Sequence, residues 1–151
     1  MASTYIKRTC DGAYSSTWTW SAWVKRSATG SYHGLFCNKK NDSNSNSRVR
    51  FYFSDADRLA MEVKDSTSGD DSFFQTNRLF RDVNAWYHIV MAWDSTLATA
   101  DDRFKFYVNG VQETSFSART NPPQNEGSFM NVAGNDNFIG TQTNNLGGAF
   151  L

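Results

Sequence analysis

Short runs in which apolar and polar side chains alternate dominate this chain, and clusters of turn-forming residues separate them. Alternation with a period of two predicts β-strands, because successive side chains on a strand point to opposite faces. Residues 16–25 place Trp18, Trp20, Ala22 and Val24 on one face, which we expect to be buried. Almost nothing has the 3.6-residue apolar period of an amphipathic helix. The pattern therefore predicts an all-β protein.

Further strands are predicted wherever the alternation resumes. Residues 86–93 combine aromatic and β-branched side chains, which favours a central strand. Asn109 and Gly110 form the dipeptide that a type I′ turn prefers, so a hairpin is expected around them. Polar segments 41–47 and 65–71 are predicted loops. The other predicted strands are 33–39, 48–53, 58–64, 103–108, 111–116 and 137–142, with one or two less regular strands near Phe73, Phe74, Leu79 and Phe80.

Strands at this spacing, joined by polar turns, are typical of a two-sheet sandwich or a closed barrel. The chain has 151 residues and shows no internal repeat or linker, so we expect one domain over residues 1–151. Aromatic residues make up 15% of a polar background with a mean hydropathy of -0.59. That composition suits half-buried antiparallel sheets.

The net charge of the chain and the lengths of its apolar runs exclude some classes of partner. Fifteen basic and fifteen acidic residues give a formal charge of +0, so no long-range field attracts nucleic acid or an anionic membrane. No window approaches 18 consecutive apolar residues, and the N-terminus lacks the apolar segment of a secretory signal. We expect no nucleic-acid partner, no membrane insertion and no signal peptide.

The two cysteines, Cys10 and Cys37, lack the Cys-x-x-Cys spacing of zinc and redox sites. Without an export signal, the chain is expected to fold where thiols stay reduced. We therefore expect two buried or half-buried free thiols, with one disulfide as the alternative.

Three segments together provide motifs that are more specific than the alternation alone. They are residues 18–25 (WTWSAWVK), 86–94 (WYHIVMAWD) and 104–110 (FKFYVNG). In this order and spacing they resemble the concanavalin A-like, laminin G-like jelly-roll family, and residues 137–140 (NFIG) are similar to its late strand. The resemblance implies a two-sheet antiparallel β-sandwich over most of the chain. The opening residues 3–9 resemble laminin G-like proteins among bacteriophage structural genes, particularly those of tail fibres and virion surfaces. That likeness implies a virion location after synthesis in the host cytoplasm.

One departure from the family concerns the C-terminus. The family closes its sandwich with a final strand after a glycine-containing turn, whereas this sequence stops at residues 148–151. Either the sequence is truncated, or a partner or the N-terminal strand covers that edge. Because an unpaired edge invites association, we expect a homo-oligomer or a place in a larger assembly.

Catalytic motifs of related folds are not found in the sequence. Glucanases with this architecture place carboxylates on one strand as E-x-D-x-x-E, and no such strand occurs here. Glu62 is therefore expected to be a solvated charge on a sheet face, with a catalytic acid as the alternative. The chain has two histidines, and His88 is expected to be structural, with a ligand contact as the alternative.

Sugar binding requires an exposed aromatic ring with polar side chains beside it. If the strands share one sheet, alternation places six candidate residues on one surface opposite the core, and the alternative is that loops cover their rings. These candidates are Trp23, Arg50, Tyr52, His88, Lys105 and Tyr107.

No cofactor is expected to be required, although the family resemblance implies a calcium ion at a loop rim. Carboxylates suited to Ca²⁺ occur in two loops. The first loop has Asp55 and Asp57, and the second has Asp94, Asp101 and Asp102. Ordinary Asx turns are the alternative for the first loop.

The leading hypothesis is a non-catalytic, virion-associated laminin G-like module that binds carbohydrate on a host or particle surface. The alternative is a purely structural capsid or tail decoration protein held by contacts with other virion proteins. A glycan-cleaving enzyme is the third and disfavoured hypothesis.

Overall fold

A computed structural model describes residues 6–39, 47–64 and 71–140. The described residues form eleven strands and one short 3₁₀ turn at Ala100–Asp102. The strands are β1 Ile6–Thr9, β2 Thr17–Lys25, β3 His33–Lys39, β4 Arg48–Phe53, β5 Arg58–Lys64, β6 Asp71–Leu79, β7 Trp86–Asp94, β8 Phe104–Val108, β9 Val111–Glu113, β10 Phe116–Thr120 and β11 Asp136–Ile139.

The strands build two antiparallel sheets. One has seven strands in the order β1-β11-β3-β4-β5-β6-β10, and the other has four in the order β2-β7-β8-β9. The prediction of an all-β, two-sheet antiparallel sandwich is confirmed. Within the described residues, no helix has the length and apolar character needed to cross a membrane.

Side chains at every second position fill the space between the sheets, as the alternation predicts. On β4, Val49, Phe51 and Phe53 are fully buried. Phe51 contacts the rings of Trp18 and Trp20 on the opposite sheet, with centroid separations of 5.7 and 5.1 Å. Burying each large apolar side chain stabilises the fold by about 1.5–3 kcal/mol, and ring pairs add to this. The aromatic residues therefore hold the two sheets together.

The pairing of β2 with β7 fixes the outer face of the four-stranded sheet. Their nine paired positions run from Thr17 opposite Asp94 to Lys25 opposite Trp86. Because the core side of both strands is packed, a slip by one residue would turn every core side chain to the surface. The residues on the outer side are consequently held in register as well.

The turn at Asn109 and Gly110 is confirmed, since both residues have positive φ, at 52° and 80°. The single strand predicted over residues 111–116 is wrong. The chain there forms β9 in the four-stranded sheet and then β10 in the seven-stranded sheet. Alternation along the chain does not reveal a crossing between sheets, because it reports only which side of a strand each residue faces.

The remaining strand predictions differ in detail. The irregular region near Phe73 is one strand, β6, with shifts of register against both of its neighbours. The last predicted strand is shorter, ending at Ile139, and residues 141–142 lie outside the described residues. Most of the two predicted polar loops, at residues 40–46 and 65–70, also lies outside them. At the edge of the large sheet, β1 pairs with β11, so the N-terminal strand covers that side of β11.

Candidate functional site

The six predicted sugar-contacting residues do not share one surface. Trp23, His88, Lys105 and Tyr107 lie on the outer face of the four-stranded sheet, whereas Arg50 and Tyr52 lie on the outer face of the seven-stranded sheet. These faces point in opposite directions because the core lies between them. The prediction of a single surface is therefore wrong, since alternation assigns a face and does not assign a sheet.

An aromatic platform, formed by Trp23, His88 and Ser21, lies on the outer face of the four-stranded sheet. The Trp23 side chain is 65% exposed, and its ring stacks on His88 with centroids 4.9 Å apart at an angle of 26°. His88 Nε2 lies 3.0 Å from Ser21 Oγ, and the His88 backbone N–H donates to Asn109 Oδ1. The Ser21 contact orients the His88 ring, and the Asn109 contact holds the His88 backbone. The platform presents an oriented aromatic ring to solvent.

A cavity of about 460 Å³ lies on the same face, near the end where Thr17 pairs with Asp94. Its volume is in the range of small-molecule sites. Ala92 points outward between Thr19 and Lys105, and its small side chain leaves space that a larger residue would fill. The lining residues are Thr17, Trp18, Thr19, Ala92, Trp93, Asp94, Leu97, Asp102 and Lys105.

The loop that forms one wall of the cavity is held in place by Arg103. Its guanidinium donates to the carbonyl oxygens of Leu97, Ala98 and Pro122 at 2.8, 2.9 and 3.0 Å. At the start of the loop, the Ser95 backbone N–H donates to the Ser16 carbonyl at 3.0 Å. A wall fixed before binding lowers the entropic cost of holding a ligand.

Of the two carboxylates in the cavity, one is paired with a basic side chain and the other is not. Asp94 Oδ1 accepts hydrogen bonds from the backbone N–H and the hydroxyl of Thr96, at 3.1 and 2.5 Å. Asp102 forms an ion pair with Lys105 at 3.1 Å. Asp94 is therefore oriented but not neutralised, and it can accept a hydrogen bond from a ligand.

Asp57 has a structural role, which corrects its assignment as a calcium ligand. Its carboxylate accepts from Arg26 Nη1 at 2.9 Å, from the Gly30 backbone N–H at 2.8 Å and from Arg81 Nε at 3.2 Å. Burial alone would raise the pKa of Asp57, but these hydrogen bonds outweigh burial and lower it. Asp57 is the counterion of the buried Arg26, while neighbouring Asp55 is exposed.

The three carboxylates of the second acidic loop do not converge on one point. Asp101 bonds Arg119 and Asn121, whereas Asp102 bonds Lys105 and Asp94 bonds Thr96. The two acidic loops also lie at opposite ends of β2, about 25 Å apart along the strand. Among residues 6–39, 47–64 and 71–140, no group of three or more His, Cys, Asp or Glu side chains could hold a metal ion. The contacts of Asp57 do not fit a calcium ligand, whereas calcium at Asp55, Asp94, Asp101 or Asp102 stays a prediction.

The outer face of the seven-stranded sheet is covered where Arg50 and Tyr52 lie. Glu62 is only 8% exposed, and its carboxylate accepts from Arg50 Nε at 3.0 Å and pairs with Arg48 Nη2 at 2.5 Å. The Arg50 guanidinium lies over the Tyr52 ring, and burial raises the pKa of Tyr52. The expectation of a solvated Glu62 is wrong. The register of the β4–β5 hairpin, which places Arg50 opposite Glu62, could have predicted the ion pair.

Both cysteines are free and buried, as expected from the sequence. Cys37 lies opposite Arg50 on the covered face, and burial raises the pKa of its thiol to about 12. The thiolate that reacts with electrophiles is therefore strongly disfavoured.

Sequence reasoning missed part of the cavity. Ala92 gave a usable signal, since it is the one small side chain among the predicted outward positions of residues 86–93. Leu97 and Arg103 gave none, because their roles depend on how the loop folds back on the sheet.

The two antiparallel sheets, packed through alternating aromatic residues, define a jelly-roll sandwich of the concanavalin A-like class. A laminin G family model, described as the concanavalin A-like lectin/glucanases superfamily, matches residues 2–150. The chain belongs to this family.

Solved structures of similar fold are remote in sequence. The CBM40 of Ruminococcus gnavus IT-sialidase, bound to α2,3-sialyllactose, has a TM-score of 0.62 and 11% identity, covering 91% of this chain and 70% of that one. The heptameric SAP-like pentraxin of Limulus polyphemus has a TM-score of 0.55 and 16% identity, covering 97% of this chain and 62% of that one. At these identities the likeness shows the fold alone. A comparison with curated protein sequences finds no match.

Proposed function

We propose that this chain is a non-catalytic carbohydrate-binding module whose binding surface is the outer face of the four-stranded sheet. The observation that carries the proposal is the Trp23 ring, exposed and stacked on His88 beside a cavity with a fixed wall. A large aromatic ring costs free energy in water, and an oriented one on a sheet face suits a ligand with a flat apolar side.

The polar groups around the platform match the other requirement of sugar recognition. Hydroxyls of Thr17 and Thr19 and the carboxylate of Asp94 line the cavity. Tyr107 lies opposite Val90, between the cavity and the platform. A pyranose has an apolar face and a rim of hydroxyls, so a ring and convergent polar groups can bind both. The sialyllactose-bound CBM40, which has a similar fold, supports a binding role for such a sandwich.

The absence of catalysis is part of the proposal. Glycoside hydrolysis usually needs two carboxyl groups on either side of the scissile bond, one of them protonated. Glu62 is held between two arginines on the covered face, where it cannot reach a glycan on the platform, and of the two carboxylates that line the cavity, Asp102 is paired with Lys105. We expect the pure protein to leave oligosaccharides intact, as chromatography of the sugars after incubation would show.

The test is a glycan array followed by calorimetric titration of a ligand that the array identifies. Trp23→Ala should weaken binding by about 30-fold, the loss expected when a central aromatic contact is removed. Its free energy of unfolding should change by no more than about 0.5 kcal/mol, since the ring is exposed.

Tyr32→Ala is the matched control. Tyr32 is also an exposed ring, at 43%, but it packs against Tyr52 at the seven-stranded sheet. This variant should bind as the wild type does. The proposal fails if no glycan binds, or if Tyr32→Ala abolishes binding and Trp23→Ala does not.

A protein-contact role, as a virion structural or decoration protein, is the second candidate. The observation that favours it is the pair Ile6 and Ile139, which lie opposite each other on β1 and β11 and are 68% and 52% exposed. Exposed apolar groups beside a sheet edge favour association. Sedimentation of the wild type and Ile6→Thr over a range of concentrations tests this role, and a monomer that never fractionates with phage particles would count against it.

A further inference from the structure

We infer that the cavity takes an uncharged sugar, so that a glycan whose cavity-bound unit is neutral binds the four-stranded face in preference to one whose unit there is sialylated or otherwise acidic. This inference rests on the proposed function and specifies its substrate class. The charges that line the cavity and the distance between the cavity and the platform support it.

The charge balance of the cavity is negative. Of the described residues that line it, three are charged: Asp94, Asp102 and Lys105. Lys105 pairs with Asp102 at 3.1 Å, which leaves the carboxylate of Asp94 without an opposite charge. The nearby Arg103 does not line the cavity. Its guanidinium donates to the carbonyl oxygens of Leu97 and Ala98 in the loop wall and to that of Pro122.

The carboxylate of Asp94 can accept hydrogen bonds from the hydroxyl groups of a sugar. Thr96 donates two hydrogen bonds to its Oδ1, and Oδ2 has no hydrogen-bond partner among the described residues. An ionised carboxylate can only accept hydrogen bonds. A sugar hydroxyl can donate to it, whereas an ionised sugar carboxylate cannot and would also be repelled.

Among the described residues around Arg50 and Tyr52 on the other face, the basic side chains are already paired. Arg48 and Arg50 are the basic side chains nearest to the predicted residue Tyr52, and Glu62 already pairs with both of them. An acidic sugar would have to displace a buried carboxylate to reach either guanidinium.

The spacing of the face indicates a ligand longer than one sugar ring. Thr19 lines the cavity and Trp23 carries the platform, and they point outward four residues apart on β2. That separation is about 13 Å along the strand. A chain with one unit in the cavity and another on the platform would contact both.

The experiment is a calorimetric titration at low ionic strength with matched pairs of oligosaccharides. Each pair consists of a neutral chain identified by the array and the same chain extended by one sialic acid or uronic acid. We expect the neutral member to bind at least about fivefold more tightly. Asp94→Asn should weaken neutral binding by about tenfold or more, because a hydrogen bond to a charged acceptor is lost.

Asp101→Asn is the control, since it makes the same change of charge in the same loop at a residue that does not line the cavity. It should leave both members of each pair unchanged. Tighter binding of the acidic member, with loss on Trp23→Ala, would overturn this inference and leave the proposed function standing. Unchanged neutral binding by Asp94→Asn would also overturn it. Failure of every glycan to bind would overturn both proposals.

Discussion

The two outer faces of the sandwich arise from the same alternation of residues but differ in what covers them. On the four-stranded sheet, Trp23 and Trp86 are largely exposed, and His88, which supports the Trp23 ring, bonds to Ser21 on the adjacent strand. On the seven-stranded sheet, Tyr52 is 5% exposed and Cys37 is fully buried, although both point away from the core.

This difference shows that pointing away from the core does not make a residue available to a ligand. The arginines of the seven-stranded face pair with Glu62 within the protein. On the four-stranded face, Asp94 keeps an acceptor oxygen that no described residue uses. Charges satisfied internally contribute to stability, whereas oriented and unsatisfied groups can contribute to binding.

The largest expected effect tests the covered face. Glu62→Gln removes the negative charge that Arg48 and Arg50 share, so that both partly buried guanidinium groups lose this ion pair. Its free energy of unfolding, measured with urea, should fall by about 3 kcal/mol. Thr19→Val on the exposed face should change it by no more than about 0.5 kcal/mol. Equal effects of the two changes would contradict the difference between the faces.

A smaller effect is expected from the loop wall. Arg103→Lys keeps the charge but cannot reproduce three hydrogen bonds to the carbonyl oxygens, so the unfolding free energy should fall by about 1–2 kcal/mol. Glycan affinity should fall as well. Arg58→Lys is the control, because Arg58 donates to the Thr76 carbonyl in the seven-stranded sheet, and it should leave affinity unchanged. A loss of affinity with Arg58→Lys alone would place the binding site on the seven-stranded sheet and contradict the proposed site.

The smallest effect concerns pH. Burial, and then the charge of Arg26, lower the pKa of His33 from its usual value of 6.5. Arg26 Nη2 lies 3.2 Å from His33 Nδ1 and can only donate, so the neutral imidazole accepts. Below pH 6.5 the unfolded chain binds a proton that the folded chain does not, so stability decreases as the pH falls from 7 to 5.

Urea unfolding of the wild type and His33→Gln at pH 7 and pH 5 measures this contribution, and the variant should lose less stability over that range. The pKa of Asp57 is lowered too, so its contribution is lost at more acidic pH, below 3.8. A wild type that gains stability between pH 7 and pH 5 would contradict the buried environment of His33.

Local pattern was enough to predict most strands, and β4 and β5 have the predicted bounds, because side chains on a strand point alternately into the core and away from it. It could not assign Arg50 and Trp23 to different sheets, because sheet membership depends on contacts between distant segments. The division of residues 111–116 into β9 and β10 was missed for the same reason. The candidate site was predicted only in part: the Trp23 and His88 positions follow from alternation, whereas the wall held by Arg103 depends on loop packing.

The central claim is that ligands bind the four-stranded face and not the covered one. A titration of isotope-labelled protein with a neutral oligosaccharide, followed by NMR of the backbone amides and of the five tryptophan indole N–H groups, tests it most directly. We expect a large shift for Trp23, a smaller one for Trp86, and little change for the core residue Trp20. Shifts confined to the backbone around Arg50 and Tyr52, with Trp23 unchanged, would contradict it.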